Sequence, residues 1–174
     1  MTLIGLAILA AIVISLLTIA VASVSFAPWV PTWNKDLKRI FKLADLKSGE
    51  IFYDLGCGTG KTVIYANKNF KIKAIGVELA LPLFLICKIR QIFRRDANLF
   101  FKFGSLFNED LRKADVVYIF GMPSVLKNKL REKLEKELKP GARVVSYVFS
   151  INGWTPALID KPNEKDVSVY LYKR

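Results

Sequence analysis

The chain carries no charged side chain before Lys35, and Thr2–Ala27 is an unbroken run of 26 mainly apolar residues. As a helix at about 1.5 Å per residue the run would reach roughly 39 Å, more than the ~30 Å hydrocarbon thickness of a bilayer. It can therefore cross a membrane with some tilt. A cleaved signal peptide and a buried core helix are the other readings of such a run, and Ala20, Ala22, Ser23 and Ser25 would suit a signal peptidase. The absence of a basic stretch ahead of it, and its length, favour a retained anchor. Behind it come Lys35, Asp36, Lys38, Arg39 and Lys42, against only the amino group of Met1 on the other side. The positive-inside rule then predicts a single-pass protein with its C-terminal domain in the cytoplasm.

The rest of the 174 residues has room for one domain of ordinary size. The expected division is an anchor and junction over 1–34 and a folded domain over 35–174. In the junction, Pro28-Trp29-Val30-Pro31-Thr32-Trp33, two prolines stop the helix and two tryptophans suit a membrane interface. Asp36–Leu46 reads as a short amphipathic helix. From Ile51 onward apolar runs alternate with amphipathic stretches. Strands are predicted at Ile51–Leu55, Ile72–Val77, Ala97–Phe103, Asp115–Phe120, Ala142–Phe149 and Val167–Lys173, with helices at about Gly60–Asn69, Leu81–Arg95 and Ser124–Lys139. In the last helix Leu126, Leu130, Leu134 and Leu138 recur every four residues before Pro140-Gly141 ends it. This order predicts an α/β fold, a doubly wound, Rossmann-like, mainly parallel sheet. Between the last two strands Ser150–Asp166 holds Gly153, Pro156 and Pro162, so a loop or short extra strand and an antiparallel final strand are expected.

Two cysteines, Cys57 and Cys87, show neither metal-site nor disulfide spacing, and histidine is absent, which removes His-based triads, bases and metal ligands. No metal is expected. The net charge is +12. Nucleic acid would be one partner for that charge, but the basic residues are scattered and no nucleic-acid motif appears. Attraction to an anionic membrane surface is the simpler reading for an anchored domain.

The first strand runs into Asp54-Leu55-Gly56-Cys57-Gly58-Thr59-Gly60-Lys61-Thr62. A phosphate-binding P-loop, G-x-x-x-x-G-K-[ST], would need glycine at position 55, where leucine stands. The dinucleotide pattern G-x-G-x-x-G fails as well, because the glycines are spaced G-x-G-x-G. Asp54 precedes the glycines and Glu78 ends the second strand, where an acidic side chain can accept the hydroxyl protons of a ribose; a helix cap or surface charge is the plainer reading of Glu78. Such a loop suits adenosine joined to a sulfonium amino acid better than a phosphate.

DLGCGTG on the first strand, VE ending the second and LKPGARVV entering the fifth resemble the class I S-adenosylmethionine-dependent methyltransferases over about Ile51 to Arg174. With the apolar helix, PWVPT, YDLGCGTGKTVIYA, GVEL, DVVYIFGMP and WTP included, the chain is similar to the single-pass membrane lysine methyltransferases. That family includes the mitochondrial enzymes acting on the ATP synthase c-subunit and the ADP/ATP translocase, and prokaryotic relatives. The resemblance implies methyl transfer from S-adenosylmethionine to a lysine of a membrane protein near the cytoplasmic face. A lipid or quinone methyltransferase and a non-catalytic donor-binding protein are the alternatives. It also implies donor contacts at Asp54, Leu55, Gly56, Gly58, Thr59, Gly60 and Glu78, with Ser105 and Leu106 flanking adenine and Phe120 beside the methyl group. Ser105 departs from the pattern, which often has aspartate there. The Asn-Pro-Pro-aromatic motif of many amide and adenine methyltransferases is missing. Trp29, Pro31, Thr32, Phe120 and Trp154 are candidates for the acceptor channel, because aromatic faces guide cationic side chains; Trp29 also reads as an interface anchor and Trp154 and Phe120 as core.

Overall fold

A computed structural model describes residues 2–127 and 129–174. Helix α1, Leu3–Ser25, opens with the Thr2 side chain accepting from the Gly5 amide and carries no buried residue. A second helix, α2 (Asn34–Ala44), follows the junction and buries Leu37, Ile40, Phe41 and Ala44 against the sheet. The units β1 (Ile51–Leu55), α3 (Lys61–Asn69), β2 (Lys73–Glu78), α4 (Leu81–Arg94) and β3 (Leu99–Phe103) then alternate. After a 3-10 turn at Leu106–Asn108 come β4 (Val116–Ile119), the helical segments α5 (Pro123–Lys127) and α6 (Lys129–Glu137), β5 (Arg143–Tyr147), β6 (Leu158–Asp160) and β7 (Val169–Lys173). Asn128, inside the single helix expected over Ser124–Lys139, lies outside the described residues.

The sheet order is β3-β2-β1-β4-β5-β7-β6. Strands β1 to β5 are parallel, and β7 runs antiparallel to both β5 and β6. The expected fold class, the antiparallel last strand and the short extra strand are all present. Chain order reverses between β1 and β4, and at such a switch point the carboxyl ends of parallel strands leave a crevice.

Alternation along the strands divides the core between the two faces. Phe52, Val116, Tyr118 and Val145 pack with Ile40, Phe41, Val63, Ala66 and Cys87 of α2, α3 and α4. Tyr53, Leu55, Val117, Ile119 and Val144 pack with Leu126, Leu130 and Leu134 of α5 and α6. Phe26, the residue that ends α1, belongs to this second cluster.

Some strands are shorter than their apolar runs. β3 begins at Leu99 rather than Ala97 because Asp96 accepts from the Asn98 amide at 2.8 Å and holds a turn. β5 ends at Tyr147 rather than Phe149, since Val148 turns to φ 72°. β7 begins at Val169; the Val167 carbonyl instead accepts from the Arg39 guanidinium at 2.6 Å, and Arg39 also binds Asp36 and Asp160. These bonds fasten α2 to the far edge of the sheet.

Leu134 is fully buried among the side chains of the second face. Leu134→Ala should lower stability by about 2–5 kcal/mol, as lost transfer energy plus a residual cavity. Denaturant unfolding of detergent-solubilised protein measures it, and a change below about 1 kcal/mol would show that α6 closes onto the gap.

Candidate active site

The loop after β1 opens at the switch point. The Gly56 and Cys57 amides both donate to the Val77 carbonyl, at 2.9 and 3.0 Å, so the loop is tied to β2 as it leaves β1. Gly58 has φ 56°, and a Cβ built there would lie 2.4 Å from the Trp29 indole nitrogen. A Cβ at Gly56, φ 79°, would lie 2.5 Å from the Phe26 ring. Only glycine permits both this backbone and this approach. The Phe26 ring also covers Gly121 after β4, so the aromatic residues leaving α1 rest directly on the two loops of the crevice.

Polar bonds hold this junction in place. The hydroxyls of Thr32 and Tyr118 are 2.8 Å apart and buried, and the Lys61 amine donates to the Thr32 carbonyl at 2.5 Å. The Met122 amide donates to the Phe26 carbonyl at 3.3 Å.

Between junction and loops lies a cavity of about 910 Å³, counting its open mouth. Its walls come from three sources: Ile19, Ala22 and Ser23 of the last turns of α1; Phe26 to Thr32; and the strand ends with Asp54, Glu78, Ser105 and Phe120. Glu78 is 6% exposed, and its two carboxylate oxygens accept from the amides of Gly58 and Ala80, both at 2.7 Å. Burial nevertheless raises its pKa, with those amides opposing the shift. Asp54 is 2% exposed and accepts from the Thr62 hydroxyl. Burial lifts its pKa to about 7; Thr62 opposes that shift and the Glu78 charge adds to it. Two carboxyls thus face one cavity and, among the described residues, no cationic side chain is bonded to either, an arrangement that favours a positively charged ligand.

Of the residues expected from the sequence, Asp54, Gly56, Gly58, Thr59, Glu78, Ser105, Leu106, Phe120, Trp29, Pro31 and Thr32 line this one cavity. Three do not. Leu55 is wholly buried and packs into the second core cluster, because alternation along β1 turns it away from Asp54. Gly60 directs its α-carbon at Phe101 and Cys87 and begins α3 with φ 74°. Trp154 donates from its indole to Glu135 at 2.7 Å and packs on Tyr172, with ring centroids 5.7 Å apart, beside α6. It does not line this cavity.

Phe26, Tyr118 and Thr62 were not singled out by the sequence. Phe26 is one apolar residue at the end of a long apolar run, and nothing local marks it. Tyr118 in Val116-Val117-Tyr118-Ile119 did carry a signal, a hydroxyl in a strand otherwise suited to full burial.

Residues 54–158 match the profile described as the ANTKMT methyltransferase domain. The chain belongs to this methyltransferase family. It is 37% identical over 158 residues to a protein-lysine N-methyltransferase of Saccharolobus islandicus, a match covering 86% of this chain and 94% of the relative. It is 32% identical over 131 residues to the human lysine N-methyltransferase of the ATP synthase c-subunit, covering 74% of this chain and 54% of that protein. Among solved structures, an RNA methyltransferase of Salinibacter ruber in complex with S-adenosyl-L-homocysteine superposes with a TM-score of 0.77 at 32% identity, over 83% of this chain and 93% of that one. This methyltransferase therefore uses S-adenosylmethionine, and its cavity fits that donor: an acidic floor faces a cationic ligand, and a glycine loop leaves the backbone open to close approach.

Asp54 makes a test by pH. With a carboxyl pKa of about 7 when folded and 3.8 as its ordinary value, the stability due to its neutral form is full below about pH 4 and is lost as pH rises through 7. Asp54→Asn removes this loss. The melting temperature of the unliganded variant should gain on that of the native protein between pH 5 and pH 8, and a constant difference would mean that the folded carboxyl titrates in its ordinary range.

Proposed function

We propose that this methyltransferase transfers the methyl group of S-adenosylmethionine to a lysine side chain of a protein in or at the membrane. The observation that carries this reading is the composition of the cavity wall. Ile19, Ala22 and Ser23 of an apolar helix stand beside Asp54 and Glu78, so an acceptor reaches the site at the level of that helix. Helix α1 has 23 residues and is long and apolar enough to cross a bilayer. Residues 1–34 form the anchor and junction and 35–174 the catalytic domain, which faces the cytoplasm and anionic headgroups. Trp33, half exposed and with the Lys35 amine 5.3 Å from its ring, suits the headgroup boundary.

Asp54, Gly56, Gly58 and Thr59 surround the methionine part and ribose of the donor, while Leu55 and Gly60 shape the loop from behind. Glu78 holds the ribose hydroxyls while its amide bonds keep Gly58 in place. Ser105 and Leu106 flank the adenine. When bound, S-adenosylmethionine supplies an electrophilic methyl group on a sulfonium. The chain's own work is alignment and exclusion of water. Trp29, Pro31 and Phe120 wall the acceptor side, with Phe120 braced edge-on by Tyr147 at 4.9 Å. A lysine entering between them loses water, which lowers its pKa and leaves its amine neutral for attack without a histidine base. Thr32 and Tyr118 fix the junction that forms this wall.

Glu78→Ala should weaken S-adenosylmethionine binding roughly ten- to hundredfold, the cost of losing a charged hydrogen-bonding partner. Calorimetry measures it, and undiminished affinity would remove Glu78 from the donor site.

For the acceptor, tritiated donor and purified enzyme are added to membranes from cells lacking the enzyme. Label on a lysine of a membrane protein is expected. Label in extracted lipid would assign a lipid or quinone acceptor, label in RNA would assign the substrate class named for the Salinibacter relative, and no label would point to donor binding without turnover.

A further inference from the structure

Helix α4 keeps a face that a soluble domain would not leave bare. Cys87 is its one fully buried side chain, whereas Leu85, Ile89, Ile92 and Phe93 are 50, 54, 68 and 83% exposed. Their spacing of four, three and one residues puts them on a single stripe of the helix, opposite Cys87. Lys88 borders the stripe on one side and Arg90 on the other, Arg94 falls on the Cys87 side of the helix, and Arg95 lies just past the helix end. Arg90 reaches back to the Thr59 carbonyl at 2.7 Å and Lys88 to Gln91 at 2.8 Å. Among the described residues none of these four cations is in an ion pair. An apolar stripe between cations is the pattern of a helix lying in a membrane interface.

Its position relative to α1 says what covers it. The two helices pack together, and the Leu81 amide donates to the Thr18 hydroxyl at 3.1 Å. Thr18 lies about 10 Å along the axis before Ser25, so α4 begins well inside the apolar helix rather than beyond its end. The part of α1 ahead of this contact, Leu3 to Leu17, reaches only roughly 22 Å, short of the ~30 Å of hydrocarbon. The rest of the thickness must be matched by the segment of α1 that touches α4, so the start of α4 sits at acyl-chain depth.

We propose that α4 is a second membrane element, an in-plane helix whose Leu85-Ile89-Ile92-Phe93 stripe enters the leaflet while Lys88, Arg90 and Arg95 meet anionic headgroups. This rests on the reading that α1 crosses the membrane, and deepens it by fixing how the domain sits. The domain cannot swing freely on its junction. Its cavity is held at one depth, and acceptor lysines are selected by their distance from the membrane.

The test uses the full chain in nanodiscs of phosphatidylcholine and phosphatidylglycerol, with no other protein. Phe93→Cys carries a nitroxide, and Lys113→Cys, on an exposed loop before β4, serves as reference; Cys57 and Cys87 are buried, and protein without an added cysteine reports background labelling. The label at 93 should be reached better by oxygen, which partitions into lipid, than by an aqueous nickel chelate, with the opposite order at 113. Equal aqueous access at both positions overturns the proposal. A label at 93 shielded from both reagents also overturns it, because a protein surface rather than lipid then covers the stripe.

The double variant Ile92→Asp/Phe93→Asp should bind S-adenosylmethionine as the native chain does and methylate membrane-held acceptors severalfold more slowly. Lipid contact at 93 without any lysine methylation would leave the docking intact and defeat the proposed function. Lysine methylation with an aqueous label would do the reverse.

Discussion

The site depends on a contact that glycine alone allows. Phe26 and Trp29 occupy the space where side chains at Gly56, Gly58 and Gly121 would begin. The chain leaving the apolar helix is therefore set down on the glycine loop of the cavity, and Thr32, Tyr118 and Lys61 pin it there with hydrogen bonds. A Cβ at any of these glycines would force the Phe26 or Trp29 ring from its place. The end of the apolar helix is in this way a wall of the cavity, not a segment lying apart from it.

That contact also accounts for the electrostatics of the cavity. The junction shields Asp54 and Glu78 from water, and burial then disfavours their charged forms. Backbone amides and the Thr62 hydroxyl offset the penalty only in part. The unmet balance favours a cationic ligand in the cavity. One constraint, aromatic residues resting on bare backbone, thus sets the shape of the cavity above its two carboxyls.

Much of this was legible in the sequence because it is local. The strand-helix alternation, the antiparallel last strand and the leucine spacing of α6 follow from periodicity, and Asp54 and Glu78 follow from their places at strand ends. The residues that lie off the cavity share one cause. Leu55, Gly60 and Trp154 sit in or near motifs but face elsewhere, because alternation, a helix start and packing on Tyr172 direct them away from the cavity. Phe26 lines it without any local mark, Thr62 with only its place at the end of the glycine motif and Tyr118 with only its hydroxyl to mark it, since their roles arise from segments brought together across the fold.

By itself the sequence determined that an uncharged helix long enough to span a bilayer precedes a parallel α/β domain, and that its glycine loop lacks the residue a phosphate site needs. Those properties reside in composition and in spacing along one segment. Only the tertiary structure decided that the end of the helix is a wall of the cavity, and that α4 shows an apolar stripe beside it. Such facts depend on the relative placement of residues such as Thr18 and Leu81, 63 apart in the chain and joined by one hydrogen bond, which no local pattern encodes.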